Sequence, residues 1–160
     1  MHLTTFTDYS LRVLIYLGIK GEELATIGEI ASAYGVSQNH LMKIVQNLAG
    51  MGYVETIRGK GGGLRLGALP EEINVGEVVR ACERNMALVE CFEPGTGCCI
   101  EKACLLKGLF REAGEAFLAV LEKYHLSDLL RTKGRLAASL GITAQDGPAR
   151  ASSRGEPARR

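Results

Sequence analysis

Four of the five cysteines of this 160-residue chain lie within fourteen residues, in the stretch CFEPGTGCCIEKAC from Cys91 to Cys104. Proline and glycine inside the stretch favour a loop. Thiolates on one flexible loop can turn inward on a single centre, as metal ions and iron–sulfur clusters require. We therefore expect this segment to bind a metal or an iron–sulfur cluster. The fifth cysteine, Cys82, lies on an apolar helical stripe, and we expect it to be a buried core residue.

The composition is that of a globular protein with reduced thiols. Hydrophobic residues make up 46% of the sequence, which is enough for a packed core. The apolar runs are far shorter than the ~18 residues of a membrane span, and residues 1–12 lack the layout of a signal peptide. We therefore expect a cytoplasmic protein without a membrane partner. In that compartment a cysteine cluster binds metal or senses redox state more often than it forms structural disulfides.

The residues that would position such a centre begin with a predicted helix from Thr4 or Thr7 to Lys20, whose apolar residues recur at helical spacing. Asp8 and Arg12 are four residues apart, so they share a face of this helix and can pair. Without further information, the pair is a surface ion pair of little energetic weight.

Two further helices follow in close succession. Thr26 and Glu29 form a capping box for the first of them, and Gly35 stands where that helix should end. Ser37 is the predicted cap of the next helix, which should end near Gly50 or Gly52. Two short helices joined by a glycine-containing turn are typical of a helix-turn-helix, although an ordinary helical hairpin shows the same pattern.

A basic, glycine-rich hairpin comes next and favours the helix-turn-helix. Residues 53–57 alternate as a strand, residues 58–63 form the turn RGKGGG, and residues 64–66 return as a second strand. In this position a hairpin is typical of a wing that contacts phosphates and a narrow minor groove, and a solvated hairpin tip is the alternative. The first turn of the preceding helix would meet base edges in the major groove. The candidate DNA-contacting residues are Ser37, Gln38, Asn39, His40, Lys43, Arg58, Lys60, Gly61 and Gly62.

The predicted fold is mainly α with a small β-wing: a winged helix-turn-helix domain plus a long dimerisation helix. The long helix covers residues 103–124, and its apolar stripe is broader than one small domain can cover, so we expect a second chain to cover it. The predicted organisation is a DNA-binding domain at 1–84, a cluster-binding loop at 85–104, a dimerisation helix at 105–130 and a disordered basic tail at 131–160.

Four motifs of this chain resemble those of the NsrR/IscR family, and they occur in the family's order. They are the amino-terminal LTTFTDYSLRVLIYLG, the helix-turn-helix IGEIASAYGVSQNHLMKIVQNL, the wing IRGKGGGLRLG and the cysteine loop. The resemblance covers roughly residues 1–130 and is closest to the NsrR-type members. It implies a dimeric winged-helix repressor that binds double-stranded operator DNA and senses nitric oxide through a [4Fe-4S] cluster.

The resemblance also implies which cysteines hold the cluster. The family's three cluster cysteines fall on Cys91, Cys98 and Cys104 of this chain. The family commonly leaves five residues before the last of them, which favours Cys98. The neighbouring Cys99 is the alternative ligand.

The fourth ligand separates the subtypes of the family. IscR-like members hold a [2Fe-2S] cluster with a histidine three residues after the last cysteine, where this chain has Lys107. A protonated lysine has no free electron pair to donate to a metal. NsrR-type members use an aspartate that maps onto Asp8 of the partner subunit, and Arg12 would then orient that carboxylate.

Two alternatives stay open. A regulator of the same fold could sense iron supply or redox state, with a [2Fe-2S] cluster as the alternative cofactor. A structural zinc module in an interaction protein is of another class, since three cysteines and a carboxylate also suit Zn²⁺. An enzyme is the weakest hypothesis, because no histidine lies near a plausible nucleophile and acid within one motif.

Overall fold

The computed structural model describes residues 2–83, 85–92, 98–100 and 103–142. This part of the chain is mainly helical with one two-stranded antiparallel sheet, as predicted. The elements in chain order are α1 (Thr5–Lys20), α2 (Ile27–Tyr34), α3 (Gln38–Gly50), β1 (Val54–Ile57), β2 (Gly63–Leu66), α4 (Val75–Cys82), α5 (Leu106–Leu121), α6 (Leu126–Leu129) and α7 (Lys133–Leu140), with 3₁₀ turns at Glu90–Phe92 and Leu130–Thr132. No helix in the described ranges is long and apolar enough to cross a membrane.

The first four helices begin at side chains that cap them. Thr4 accepts a hydrogen bond from the Thr7 amide at the start of α1, and Asn74 accepts one from Glu77 at the start of α4. At α2 the predicted capping box of Thr26 and Glu29 is present in both directions. Each cap satisfies an amide that the first turn of a helix leaves unpaired.

Helix α1 lies at the centre of the hydrophobic core. Its residues Val13, Leu14 and Leu17 have no exposed surface, and the helix packs against α3, α4, β2, α6 and α7. The other fully buried large hydrophobic side chains are Ile30, Leu41, Ile44, Leu48, Ile73, Val78, Val79 and Leu126. Helices α3, α4 and α6 and strand β2 are therefore held in place partly by their contact with α1.

The wing is fixed to the helical body by one edge. Val54 is opposite Leu66 in the two-stranded ladder, and Leu64 exchanges backbone hydrogen bonds of 2.8 and 2.9 Å with Ala25. Gly62 is required at the tip, because a Cβ at this position would collide with the carbonyl oxygen of Ile57. The hairpin therefore has a fixed root, and only glycine fits at its turn.

The start of α4 and the end of α5 meet closely. The Asn74 side chain donates a 2.7 Å hydrogen bond to the Glu122 carbonyl, and Arg80 pairs with the Glu122 carboxylate at 2.5 Å. A Cβ on Gly76 would lie 2.8 Å from the Glu122 backbone nitrogen. This junction attaches the long helix α5 to helix α4.

The carboxy-terminal part differs from the prediction. The long helix is shorter than the predicted 103–124, and residues 131–142, expected to be disordered, include α7. Ala137 of α7 is only 2% exposed, and Leu140 packs at the edge of the core. This apolar contact is only two turns long, so the surrounding glycine and arginine content hid it in the sequence. The remaining tail, 143–160, lies outside the described residues.

Replacing Gly76 by alanine should lower the free energy of unfolding by about 1–3 kcal/mol, because the added methyl group overpacks the α4–α5 junction. A matched control is Gly134→Ala in α7, where no atom lies within 4 Å of the added Cβ. That change should raise stability by up to about 1 kcal/mol through helix propensity. Urea unfolding followed by circular dichroism measures both changes. Equal effects of the two substitutions would contradict the close packing of α4 against α5 at Gly76.

Candidate DNA-binding face and candidate metal centre

Helix α3 presents a polar, accessible side next to the wing. The Ser37 hydroxyl accepts the His40 amide at 3.3 Å and starts the helix. Ser37, Gln38, Asn39 and Lys43 are all exposed, whereas the opposite side of α3 is buried in the core. The predicted base-contacting residues are thus free to meet DNA, and their individual roles stay a prediction.

The wing tip carries accessible positive charge on a glycine backbone. Arg58 and Lys60 are exposed, and Gly59 and Gly61 adopt φ values of +104° and +82° that favour glycine. Arg65 is different, because its guanidinium pairs with Glu55 in the facing strand at 2.8 Å. The cations available for phosphates therefore lie at the tip of the wing.

A groove lies between α3 and the wing, and only some of the residues that line it were predicted from the sequence. The predicted residues Asn39, Lys43 and Arg58 line it, together with Met42 and Gln46, which are not among the predicted DNA contacts. Both lie one helical turn from a predicted residue, at spacings of three from Asn39 and from Lys43. That spacing is the signal that could have found them.

Asp8 and Arg12 form the predicted pair on the outer side of α1. Nη2 of Arg12 lies 2.9 Å from Oδ2 of Asp8, and Nε donates to Oδ1 at 3.1 Å. The guanidinium also lies over the rings of Tyr9 and Tyr34, 5.4 and 5.8 Å from their centroids. Arg12 is thus held by one carboxylate and two aromatic faces.

Tyr34 links α2 to the Asp8–Arg12 ion pair. Its hydroxyl donates a 3.1 Å hydrogen bond to the Arg12 carbonyl oxygen. Burial raises the pKa of Tyr34 to about 12, against the opposing effect of the Arg12 charge. Tyr34 therefore keeps its proton, and with it the hydrogen bond, at physiological pH.

Tyr9 links the Asp8–Arg12 ion pair to α3. Its ring meets the His40 ring edge-on, with centroids 5.5 Å apart and an interplanar angle of 88°. A continuous series of contacts therefore runs from Asp8 through Arg12 and Tyr9 to the first turn of α3. Sequence reasoning missed Tyr9 and Tyr34; the only local signal was the three-residue spacing of Tyr9 and Arg12.

The cysteines divide as predicted into one core residue and four in the loop segment. Burial raises the pKa of the Cys82 thiol, with a hydrogen bond to Ser10 acting in the opposite direction. Cys91 and Cys104 are half-buried, and Cys98 and Cys99 are exposed; all are free thiols. The prediction that Cys82 is a buried core residue is confirmed.

The donor types fit an iron–sulfur or zinc site, although the described residues do not bring three such donors together in one chain. No group of three Cys, His, Asp or Glu side chains that could hold a metal occurs among the described residues. Segments 93–97 and 101–102, which link the candidate ligands, lie outside the described residues. Free thiols and an accessible carboxylate at Asp8 match the chemistry of these metals. The ligand set therefore stays a prediction that includes a second chain.

The approach to the cysteine segment is fixed to the start of α1. The Glu83 carboxylate accepts hydrogen bonds from the Thr4 amide at 2.7 Å and from the Thr4 hydroxyl at 3.1 Å. Partial burial acts to raise the pKa of Glu83, but the hydrogen bonds from Thr7 and Thr4 outweigh it and hold that pKa below its ordinary value. These hydrogen bonds attach the segment that leads to the cysteines to Thr4, which lies four residues before Asp8 in the sequence.

Substituting Glu83 by glutamine should lower stability at neutral pH and flatten its decline in acid. Because the pKa of Glu83 is lower in the folded chain, its ionised form contributes stability above the unfolded pKa, and this contribution is lost as the pH falls through the folded pKa. Thermal melts between neutral pH and the acid range measure the difference. Glu71→Gln, at an exposed loop position, is the control; identical pH profiles for both variants would contradict the role of Glu83.

Substituting Lys60 by alanine should weaken binding to every DNA sequence about equally and reduce the slope of log affinity against log salt by about 1. Fluorescence anisotropy over a salt series measures this slope. Lys123→Ala removes the same charge from an exposed position just after α5 and should leave the slope unchanged. A slope that responds equally to both changes would argue against a wing contact with phosphate.

Known regulators match most of the chain. The profile of the Rrf2 family, described as "Iron-dependent Transcriptional regulator", matches residues 3–132. The HTH-type transcriptional regulator NsrR of Bacillus subtilis (strain 168) is 53% identical over 135 residues, which are 83% of this chain and 92% of that protein. The regulator of the same name from Geobacillus kaustophilus (strain HTA426) is 49% identical over 142 residues, 88% of this chain and 97% of that protein.

Solved structures share the same architecture. CymR (YrzC), the global cysteine regulator of B. subtilis, superposes with a TM-score of 0.65 at 30% identity and covers 81% of this chain and 95% of its own. The T. potens IscR structure superposes with a TM-score of 0.67 over 82% of this chain and 88% of its own, and at 22% identity it shows the fold alone.

The sequence matches and the shared architecture agree with the exposed α3 and the adjoining wing. They confirm the predicted winged helix-turn-helix fold and the predicted resemblance to the NsrR-type regulators. The chain belongs to the Rrf2 family, and it is a DNA-binding transcription regulator rather than an enzyme.

Proposed function

We propose that this chain is a cytoplasmic, homodimeric repressor that binds operator DNA while it holds an iron–sulfur cluster and releases the operator when nitric oxide damages that cluster. One observation carries the proposal: Asp8, the expected fourth ligand, is in contact through Arg12 and Tyr9 with His40 on the DNA-binding face. A change in what Asp8 binds would therefore act directly on the helix that meets DNA.

The proposed ligands are three thiolates and one carboxylate. Cys91, Cys98 and Cys104 would hold a [4Fe-4S] cluster together with Asp8 of the partner subunit. Such a cluster would have three soft sulfur ligands and one hard oxygen ligand, and the oxygen ligand is the one most easily displaced. Cys99 is left free in this assignment, next to a ligand and exposed to solvent.

Helix α5 supports the homodimer. Leu106, Leu109 and Val120 are each about half exposed, and Leu105 at its start is 89% exposed. Leu118 is the only residue of α5 that is buried within the described part of one chain. A second copy of α5 would cover this apolar surface, and its two-fold symmetry would set two α3 helices against the half-sites of a palindromic operator.

Arg12 gives Asp8 an alternative partner. In the single chain Asp8 is engaged by Arg12 at 2.9 Å, and the two side chains are about half exposed, so their pair contributes little to stability. Asp8 can therefore exchange this pair for a metal bond at small cost to the fold. The exchange would reposition Arg12 against Tyr9, and Tyr9 lies against His40.

A second candidate function keeps the same site but senses iron supply or redox state. The description of the family as iron-dependent supports it, and the accessible thiols of Cys98 and Cys99 suit a redox signal. A [2Fe-2S] cluster would be the cofactor in that case.

The proposal is tested by following absorption and operator binding together while nitric oxide is added in graded amounts to anaerobically purified protein. Iron and sulfide analysis gives the cluster type first. Loss of the cluster absorption in step with operator release supports the proposal. Operator release by oxidants or iron chelation, with no response to nitric oxide, supports the second candidate, and a zinc content without sulfide excludes both.

The Asp8→Ala variant should retain iron and sulfide but show altered absorption and circular dichroism in the cluster region, because one iron loses its oxygen ligand. Glu22→Ala, at an exposed position just after α1, is the control and should leave the spectra unchanged. Identical spectra for Asp8→Ala and wild type would remove Asp8 from the ligand set.

Serine substitution separates the two neighbouring cysteines. Cys98→Ser should abolish or strongly reduce cluster loading, since serine replaces a soft ligand by a hard one, whereas Cys99→Ser should load normally. Iron and sulfide stoichiometry after reconstitution measures the difference. The reverse result would assign Cys99 as the ligand.

A further inference from the structure

Met42 is an apolar side chain in the middle of the polar side of α3. It is 49% exposed. None of the other exposed large hydrophobic residues of the described chain lines the groove between α3 and the wing; they are Leu69, Ile100, Leu105, Leu106, Leu109, Val120 and Tyr124. Met42 is therefore separate from the apolar surface that a second chain would cover, and dimerisation does not explain its exposure.

The neighbours of Met42 are candidate DNA contacts. Asn39, Lys43 and Gln46 lie within one turn of it on the same side of α3, and all three line one groove with it. Arg58 of the wing borders the same groove. A side chain in this place would point between base edges once α3 entered the major groove.

The chemistry of the major groove limits what Met42 can contact there. Base edges offer hydrogen-bond donors and acceptors, and the one apolar group among them is the C5 methyl of thymine. Methionine is flexible and polarisable, so it adapts well to a small apolar partner. If Met42 lay against the edge of a cytosine or a purine, the polar atoms of that base would face the thioether without hydrogen-bond partners.

We propose that Met42 is a specificity-determining residue that reads the methyl group of one thymine in each operator half-site. The inference rests on the entry of α3 into the major groove and is independent of the cluster. It adds a selective apolar contact to a face on which the other candidates act by hydrogen bonds and charge.

The test uses a duplex selected from a random pool by the wild-type protein, with each thymine replaced in turn by deoxyuridine, which lacks only the methyl group. Affinity is measured by anisotropy at one salt concentration. At one symmetry-related thymine position, the wild type should lose about fourfold in affinity, as expected for one buried methyl group. Met42→Ala should bind thymine and uracil duplexes equally at that position, and Met42→Leu should keep the preference for thymine.

Control variants separate the possible failures. Asn39→Ala and Lys43→Ala should weaken binding but keep the thymine preference, which shows that α3 contacts the duplex. If they weaken binding while no thymine preference depends on Met42, the proposal is overturned and the DNA-binding face stands. If neither of them changes affinity, α3 does not enter the groove, and both the proposal and the predicted face are wrong.

Discussion

The burial of α1 is the constraint on which the structure depends. Val13, Leu14 and Leu17 have no exposed surface, and the helix packs against the recognition helix, the wing and the carboxy-terminal helices. Protein interiors are close-packed, so α1 cannot move far without shifting these neighbours. The accessible side of the same helix carries Asp8 and Arg12. A ligand on that side therefore acts on a helix whose position the whole domain shares.

The strengths of the contacts around Arg12 suit a switch. An ion pair with both partners about half exposed contributes roughly 0–1 kcal/mol, and each ring under the guanidinium contributes about 0.5–1 kcal/mol at such sites. The ion pair is weak enough for Asp8 to exchange Arg12 for another partner. The packing of α1 in the core is too strong to be given up in the same way. In the proposed mechanism, a change at Asp8 would thus act on Tyr9 and His40 without endangering the fold.

Local patterns predicted most of this fold, and tertiary contacts explain what they missed. The capping box at Thr26, the glycine-dependent wing and the buried Cys82 follow from neighbouring residues, and all are present. The Tyr9–His40 contact joins residues far apart in the chain, and α7 is stabilised by burial against α1, so neither has a strong local signal. The proposed ligand set includes a residue of a second chain, and local patterns within one chain do not predict such a contact.

The most direct measurement is the operator dissociation constant of the anaerobically purified protein with and without the proposed cluster, at one salt concentration. Coupling between two sites is typically about 5- to 150-fold. We expect cluster removal to weaken operator binding within this range while the dimer and the helical content are retained. Equal affinity of the two forms would contradict control of the DNA-binding face through α1.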